Sequence, residues 1–339
     1  MKIVFRTALL LLGAALFAWF LLRANPEEIL QAFSRLGWLL PLVLVPYSLV
    51  YVADTLGWHF AFGREHGHRL PFLTLFRIRW SGEAVNNVIP TAYIGGEALK
   101  VYLLHKRGVP ARNATASVVT GKTVQSLSQV VFICLGALAA THLAVPGSGF
   151  RPGLMAVLAG GFGVVAAMFW LQSHGLFTIL LRCLRKAGWH WASLEVRAEQ
   201  LKQIDRQIAG FYLRDRKHFL FSAGAYFSGW LLDVLEIFLV AWLLGQPLTW
   251  TQALMVEAFV GVARVLGLFV PGALGVQESG IVFLCRAAGL GDAFGVTYAI
   301  LRRGRETVYA FVGWLLLYLE EASLSGLAGR IALNTKNQI

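Results

Sequence analysis

Apolar residues follow one another along most of this chain in long segments that short polar stretches separate. A segment of about 20 mostly apolar residues is long enough to cross the hydrocarbon core of a bilayer as one helix. Six segments approach or exceed that length: 3–22, 36–62, 113–141, 154–172, 217–244 and 293–320. The pattern therefore predicts an all-α polytopic membrane protein with about six full-length transmembrane helices.

Two further apolar segments, near 71–105 and 250–288, are too long for one straight helix and are interrupted by Pro90 and Pro271. Proline removes a backbone donor and clashes with the preceding turn, so it breaks a helix. We predict that each segment is a re-entrant helical hairpin, in which one helix enters the membrane and a second returns. A turn at that depth is tolerated only where protein or a wet cavity covers it.

The two interrupted segments are copies of one arrangement, 181 residues apart. Glu97 follows Pro90 by seven positions, and Glu278 follows Pro271 by the same number, with a glycine-containing stretch between. Paired broken helices are how many transporters build a substrate site. The sequence thus predicts one membrane domain over 1–339, with a first repeat at 36–141, a linker at 176–216 and a second repeat at 217–320.

The composition agrees with a membrane protein, since 57% of the 339 residues are hydrophobic and only 14% are charged. The net charge of +12 does not indicate nucleic-acid binding, because the basic residues lie mostly in loops between apolar segments. The three cysteines have no metal-ligand spacing. We expect no metal site and no cofactor.

The loops predict the orientation, because cytoplasmic loops of membrane proteins carry an excess of Lys and Arg. The stretch from Arg182 to Lys217 holds nine basic and four acidic residues, and loop 105–112 is basic without an acid. Both termini are then cytoplasmic, in the inner membrane of a bacterium, and the hairpins enter from opposite sides as inverted repeats. A secretory signal is the alternative for 3–22, but it lacks a small-x-small cleavage site, so we expect a retained helix.

The linker contains an amphipathic helix, because Leu201, Ile204, Ile208 and Phe211 recur at helical spacing between charged residues. We predict that it lies on the cytoplasmic membrane surface. A plain connection between the two repeats is the alternative.

Ionisable and polar residues cluster around both interruptions, although each charge inside a bilayer costs a few kcal/mol and needs a cavity or a partner. They either bind a substrate or join the hairpins through salt bridges. The cations among them suit an anionic headgroup, with arginine favoured for phosphate. The candidate substrate-binding residues are Glu83, Asn86, Asn87, Pro90, Gly95, Gly96, Glu97, Lys122, Arg264, Pro271, Gly272, Gly275, Gln277, Glu278, Arg302, Arg303, Arg305 and Glu306. No catalytic residue is assigned.

Three further acids lie within predicted spans. Asp54 is in the second span, and Asp233 and Glu236 are in the fifth. They either line the same cavity and relay protons or hydrogen-bond between helices.

The sequence resembles a known family at these motifs. Asn86-Asn87-Val88-Ile89-Pro90 followed by Gly95-Gly96-Glu97, together with the run from Pro271 to Glu278, resembles the flippase-like superfamily. That superfamily includes the transmembrane region of lysylphosphatidylglycerol synthases. Gln277-Glu278 and the run from Leu301 to Glu306 are most similar to the branch associated with hopanoid biosynthesis. The resemblance implies movement of a lipid or lipid-linked headgroup across the cytoplasmic membrane.

We therefore expect a lipid transporter or flippase, with membrane lipids as partners. Two alternatives stay open at this point. One is a lipid-binding scaffold for lipid-biosynthesis enzymes, and the other is an integral membrane enzyme that modifies lipids. The sequence also leaves open a homodimer.

Overall fold

The computed structural model describes residues 27, 34, 36–63, 70–88, 94–143, 150–186, 198–267, 270 and 273–336. All regular structure within these residues is helical. A short 3-10 helix, Gly37–Val43, leads into the first of eleven α-helices in the described ranges. Their bounds are α1 Leu44–Ala61, α2 Phe72–Val88, α3 Ile94–Lys106, α4 Ala111–Leu143, α5 Phe150–His174, α6 Leu176–Lys186, α7 Ala198–Arg214, α8 Arg216–Leu243, α9 Trp250–Leu266, α10 Val276–Ala287 and α11 Asp292–Lys336.

Several of these helices can cross a membrane. By length and composition four described stretches qualify: Gly37–Ala61, Ala111–Thr141, Met155–Gln172 and Arg216–Leu243. They coincide closely with four predicted spans, which confirms a multi-pass helical membrane protein. Large apolar side chains such as Phe162 and Trp242 point outward, as a lipid-facing surface requires.

The other two predicted spans have different outcomes. The first, 3–22, lies outside the described residues. The last, 293–320, lies within α11, which carries charged residues near its middle and is not among the four qualifying stretches.

Each interrupted segment forms two helices with a break between them. The first segment gives α2 and α3, and the second gives α9 and α10. At 1.5 Å per residue these four helices are about 18 to 26 Å long, which is shorter than the roughly 30 Å hydrocarbon core. Pro90, Pro271 and Gly272 lie outside the described residues.

Glycines allow the two helices of each segment to pack closely. A Cβ atom on Gly96 of α3 would overlap the carbonyl oxygen of Gly82 on α2. In the second segment, a Cβ atom on Gly280 of α10 would lie 2.7 Å from the Cβ atom of Ala263 on α9. The contact of the first pair is therefore backbone against backbone, whereas the second pair meets through a methyl group.

The offset of 181 residues also relates the helix ends. α3 ends at Lys106 and α10 at Ala287, and α4 and α11 start the same distance apart. Gly108 and Gly289 follow the ends of α3 and α10 with φ values of +87° and +76°. This left-handed conformation is one that glycine adopts readily beyond a helix C-terminus.

The amphipathic helix α7 packs against the protein. Ile204 and Ile208 are buried with Ala116 of α4. Asp205 accepts backbone hydrogen bonds of 2.8 to 3.0 Å from Thr178 and its neighbour at the start of α6. Protein therefore covers the part of this face that carries Ile204 and Ile208, and the position of α7 on the cytoplasmic membrane surface stays a prediction.

Candidate functional site

The first pair of broken helices carries a buried lysine between two glutamates. Lys100 on α3 donates to Glu83 on α2 at 2.9 Å and to Glu97 on its own helix at 3.0 Å. Lys122 on α4 lies 4.0 Å from Glu97. Because two cations share the Glu97 carboxylate, this carboxylate can exchange one partner for another without becoming unpaired.

A second chain of contacts connects this cluster to α1. Arg79 on α2 is buried and contacts Asp54 on α1 at 2.5 Å, and it lies 3.9 Å from Glu83. Gln125 on α4 donates to Asp54 at 3.0 Å and accepts from Lys122 at 3.3 Å. Charged and amide groups of α1, α2 and α4 thus form one continuous network.

The two asparagines of α2 have separate positions. Asn86 is buried, and its side-chain oxygen accepts a 2.8 Å hydrogen bond from the backbone N–H of Gly96. This bond occupies one of the free donors at the start of α3. Asn87 lines a cavity together with Glu83. Gly95 belongs to the first turn of α3.

The second pair of broken helices is bound to α11 through Glu306. Arg264 on α9 donates to Glu306 at 3.2 Å and to Gln277 on α10 at 3.1 Å. Gln277 in turn donates to the same Glu306 oxygen at 2.8 Å. The three side chains join α9, α10 and α11 at one point.

Glu278 has two functions at the start of α10. One carboxylate oxygen accepts the backbone N–H of Gly275 at 2.7 Å, which caps the helix. The other oxygen accepts from Nε of Arg303 at 2.5 Å, and Arg303 also pairs with Glu306 at 3.1 Å. With 1% of its side chain exposed, Glu278 is closed off from solvent.

Arg302 and Arg305 form ion pairs with carboxylates other than Glu97 and Glu278, which lie beside the breaks. Arg302 binds Glu257 on α9 at 2.6 Å. Arg305 forms an ion pair with Glu236 on α8, and its guanidinium lies 3.5 Å from the ring centroid of Tyr47 on α1. A cation over an aromatic face is attracted by the ring quadrupole. These two arginines therefore bind α11 to its neighbours.

Both pairs of broken helices contribute to one cavity of about 80 Å³. Glu83 and Asn87 reach it from the first pair, and Arg264 reaches it from the second. The rest of its lining comes mainly from α1 and α8: Tyr47, Val50, Tyr51, Asp54, Arg79, Gln125, Gly229, Trp230 and Asp233. We call this the central cavity. A smaller cavity of about 10 Å³ lies beside Glu97, Lys100 and Lys122.

Sequence reasoning did not identify every residue of this network. Arg79 is the clearest omission, although an arginine four positions before Glu83 in an apolar segment is a usable signal. Tyr298, which contacts Glu257 through its hydroxyl, has no such signal in the sequence. Within the described residues, no group of three or more His, Cys, Asp and Glu side chains could hold a metal ion.

Comparison with known proteins identifies the family. The lysylphosphatidylglycerol synthase transmembrane region matches residues 5–313. A UPF0104 membrane protein of Pyrococcus horikoshii is 24% identical over 309 residues, covering 87% of this chain and 91% of that protein. No solved structure matches the chain. Since the family match extends over nearly the whole sequence, the chain belongs to the family of the lysylphosphatidylglycerol synthase transmembrane region.

Proposed function

We propose that this protein moves a lipid across the cytoplasmic membrane, with the lipid headgroup bound between the two pairs of broken helices. The observation that carries the proposal is the central cavity, which charged side chains of both pairs line: Glu83 from the first and Arg264 from the second. Buried ionisable groups at the meeting point of two broken helices are the arrangement that transporters use for substrates.

The chemistry of the surrounding side chains favours an anionic headgroup. Arg264 is a planar, five-donor group that can bind a phosphate with two hydrogen bonds. Lys122 and Arg303 lie beside the two breaks at equivalent positions of the repeats. Asn87 and Glu83 can accept or donate to hydroxyl and amine groups of the same headgroup. A phospholipid, a hopanoid with a polar headgroup and a lipid-linked sugar all fit this description.

The size of the central cavity implies a change of conformation during transport. Ligand pockets usually measure about 300 Å³ or more, whereas this cavity measures about 80 Å³. A headgroup therefore enters only when the two pairs of broken helices move apart. If the pairs are re-entrant from opposite sides, as the loop charges predict, separation toward either side exposes the same cavity in turn.

The lipid is moved without chemical conversion in this proposal. The acyl chains stay in the bilayer, where the exposed apolar faces of the spanning helices meet them. Only the polar headgroup needs a path through the protein, and in this proposal the path opens along the central cavity and the smaller cavity beside Lys122 when the helices separate.

The test is a lipid-movement assay on the full chain in vesicles of phosphatidylglycerol and phosphatidylethanolamine. Each lipid carries in turn a fluorescent group on one acyl chain, and an impermeant reductant measures how much of it reaches the outer leaflet. We expect Arg264→Gln to slow movement about tenfold or more, because loss of a charge-assisted hydrogen bond costs about 1.5–3 kcal/mol and 1.4 kcal/mol is tenfold.

The matched control is Arg286→Gln, which removes an exposed arginine of the neighbouring helix α10 that pairs with Asp292. It should move lipid at the wild-type rate. Equal rates with and without the protein, for every lipid offered, would refute the transport function. Extraction of the lipids after the assay checks for conversion, since a new lipid product would support the enzyme alternative.

A further inference from the structure

The ion pairs within the second repeat leave one acid more than bases. Glu320 of α11 pairs with Arg107 of the first repeat, and besides it four arginines and five carboxylates lie mostly away from solvent on the described parts of α8 to α11. Each arginine has a carboxylate partner: Arg302 with Glu257, Arg303 with Glu278, Arg264 with Glu306, and Arg305 with Glu236. The fifth carboxylate is Asp233 on α8. In the first repeat, by contrast, three acids face three bases: Asp54, Glu83 and Glu97 against Arg79, Lys100 and Lys122.

Asp233 is buried and poorly partnered. Only 6% of the residue is exposed, and its Oδ1 atom has no hydrogen-bond partner. The cation within reach is Arg305, 3.8 Å away, which is already engaged with Glu236. Asp233 lines the central cavity. An ionised carboxylate in this position is therefore desolvated and shares its nearest cation with Glu236.

Trp230 supplies a second, independent observation on the same cavity. It lies one turn before Asp233 on α8 and also lines the central cavity. Its indole N–H is buried and has no hydrogen-bond partner. A polar cavity of this size has room for more than one water molecule, and water needs such donors and acceptors. Asp233 and Trp230 therefore each place one buried polar atom without a hydrogen-bond partner beside the central cavity.

A buried charge without a partner costs several kcal/mol, so such a group takes up a proton or a cation. The described residues offer no cluster that could hold a metal ion. We propose that Asp233 is a proton-binding site and that its protonation is coupled to lipid movement, an inference that rests on the proposed transport function. A proton on Asp233 makes the buried charges of the second repeat equal in number.

Other charged and titratable groups act on Asp233 from every helix around it. On its own helix the nearest is Glu236. The groups on the other helices are Tyr47 and Asp54 of α1, Arg79 and Glu83 of α2, Glu257 and Arg264 of α9, and Tyr298, Arg302 and Arg305 of α11. Because the carboxylates among them repel a second negative charge, an anionic headgroup enters the central cavity more readily once Asp233 is neutral.

This coupling has a definite stoichiometry. One proton and one headgroup of charge −1 cross together, so the transport step is electroneutral. At one proton per lipid, a difference of one pH unit changes the equilibrium ratio of lipid between the leaflets about tenfold. Because proton and lipid move in the same direction, the anionic lipid accumulates in the leaflet that faces the more alkaline side.

The experiment measures the leaflet distribution of acyl-labelled phosphatidylglycerol in vesicles with a pH difference across the membrane. Wild-type protein and the control Glu199→Gln, an exposed acid on α7, should shift the distribution with the pH difference. Asp233→Asn should give a distribution that no longer responds to pH. A wild-type distribution that ignores pH, or that follows a Na⁺ gradient instead, overturns the proton site but leaves the transport function standing.

A second measurement does not depend on transport. Infrared difference spectra of the protein in lipid, recorded between alkaline and acidic buffer, should show a protonated-carboxyl C=O band from Asp233. The band should be missing in Asp233→Asn and present in Glu199→Gln. An unchanged spectrum of Asp233→Asn refutes the proton site, whereas wild-type protein that moves no labelled lipid at any pH refutes the transport function.

Discussion

The two pairs of broken helices use the same acid and base positions but hold them differently. Glu97 and Lys122 of the first repeat correspond to Glu278 and Arg303 of the second at the offset of 181. In the first, the two charges are 4.0 Å apart and 18% and 36% exposed. In the second, Arg303 contacts Glu278 at 2.5 Å, and the carboxylate is almost completely buried.

A further pair of positions has the opposite charge in the two repeats. Glu83 of the first corresponds to Arg264 of the second, and both line the central cavity. The cavity therefore presents an acid from one side and a base from the other. The second pair is therefore the tightly bonded half of the protein, and the first pair is the looser half, whose ion-pair partners can be exchanged.

The largest effect is expected from removing a buried arginine in each half. Arg302→Ala leaves Glu257 buried beside Tyr298 alone and should lower the free energy of unfolding by about 3–5 kcal/mol. Arg79→Ala should cost less, because Gln125 still donates to Asp54. Titration with a denaturing detergent in mixed micelles measures both. If Arg79→Ala costs more than Arg302→Ala, the second half is not the more tightly bonded one.

Substitutions at the contact between the two helices of each pair should have the opposite order of effects, with the larger loss of stability in the first pair. Gly96→Ala forces the new methyl group into the carbonyl oxygen of Gly82, and we expect a loss of about 3 kcal/mol in unfolding free energy. Gly280→Ala meets only the methyl group of Ala263 and should cost about 1 kcal/mol.

Gly160→Ala is the control for these two variants, because the position on α5 has open space around it. Alanine there should stabilise the protein by up to about 1 kcal/mol, as it does in helix interiors. Similar losses for Gly96→Ala and Gly280→Ala would show that the two helix contacts are equivalent.

Glutamine substitutions of the two glutamates beside the breaks should differ in how much they lower the free energy of unfolding, but both should impair lipid movement. Glu278→Gln keeps the cap of α10 but removes the charge that Arg303 faces, and we expect a cost of about 1–3 kcal/mol. Glu97→Gln should cost less than about 1 kcal/mol, because Lys100 keeps Glu83 as a partner. Both variants should also slow lipid movement in the vesicle assay, because Glu97 and Glu278 hold Lys122 and Arg303, the bases beside the breaks to which we assign headgroup binding. Normal movement by Glu278→Gln would remove Glu278 from the mechanism.

The smallest effect is expected from exchanging the two bases. Lys122→Arg should tighten the contact with Glu97 and change unfolding free energy by only a few tenths of a kcal/mol, as exposed pairs do. Arg303→Lys loses one of two carboxylate partners and should have the larger effect on both unfolding and transport. The reverse order would mean that the looser half depends more on its base than the tighter one.

The sequence predicts the helices and the breaks because both depend on local chemistry. Apolar length defines the four stretches that can span a membrane, and proline with glycine defines the interruptions. The pairing of charges depends instead on which helices touch. Arg302 and Arg303 are neighbours in the sequence, yet one binds Glu257 on α9 and the other binds Glu278 on α10. No periodicity within one segment contains that information.

The amphipathic helix α7 is a second case in which the sequence does not predict which parts of the protein touch. Its apolar stripe predicts that Ile204 and Ile208 are covered, which they are. A stripe does not specify whether lipid or protein covers it. In the structure Asp205 of α7 accepts two backbone hydrogen bonds from the start of α6, a contact that no pattern in the linker predicts.

The charged run of α11 has a consequence for how the protein can move. Arg302, Arg303 and Arg305 point to α9, α10 and α8 respectively, and the last also reaches α1. Rotation of α11 about its axis, or sliding along it, would have to break all of these contacts at the same time. These ion pairs therefore favour movement of this long helix together with α8, α9 and α10, and a displacement of α2 that opens a route for a headgroup would have to break the packing of Trp80 on α2 against Tyr309 on α11.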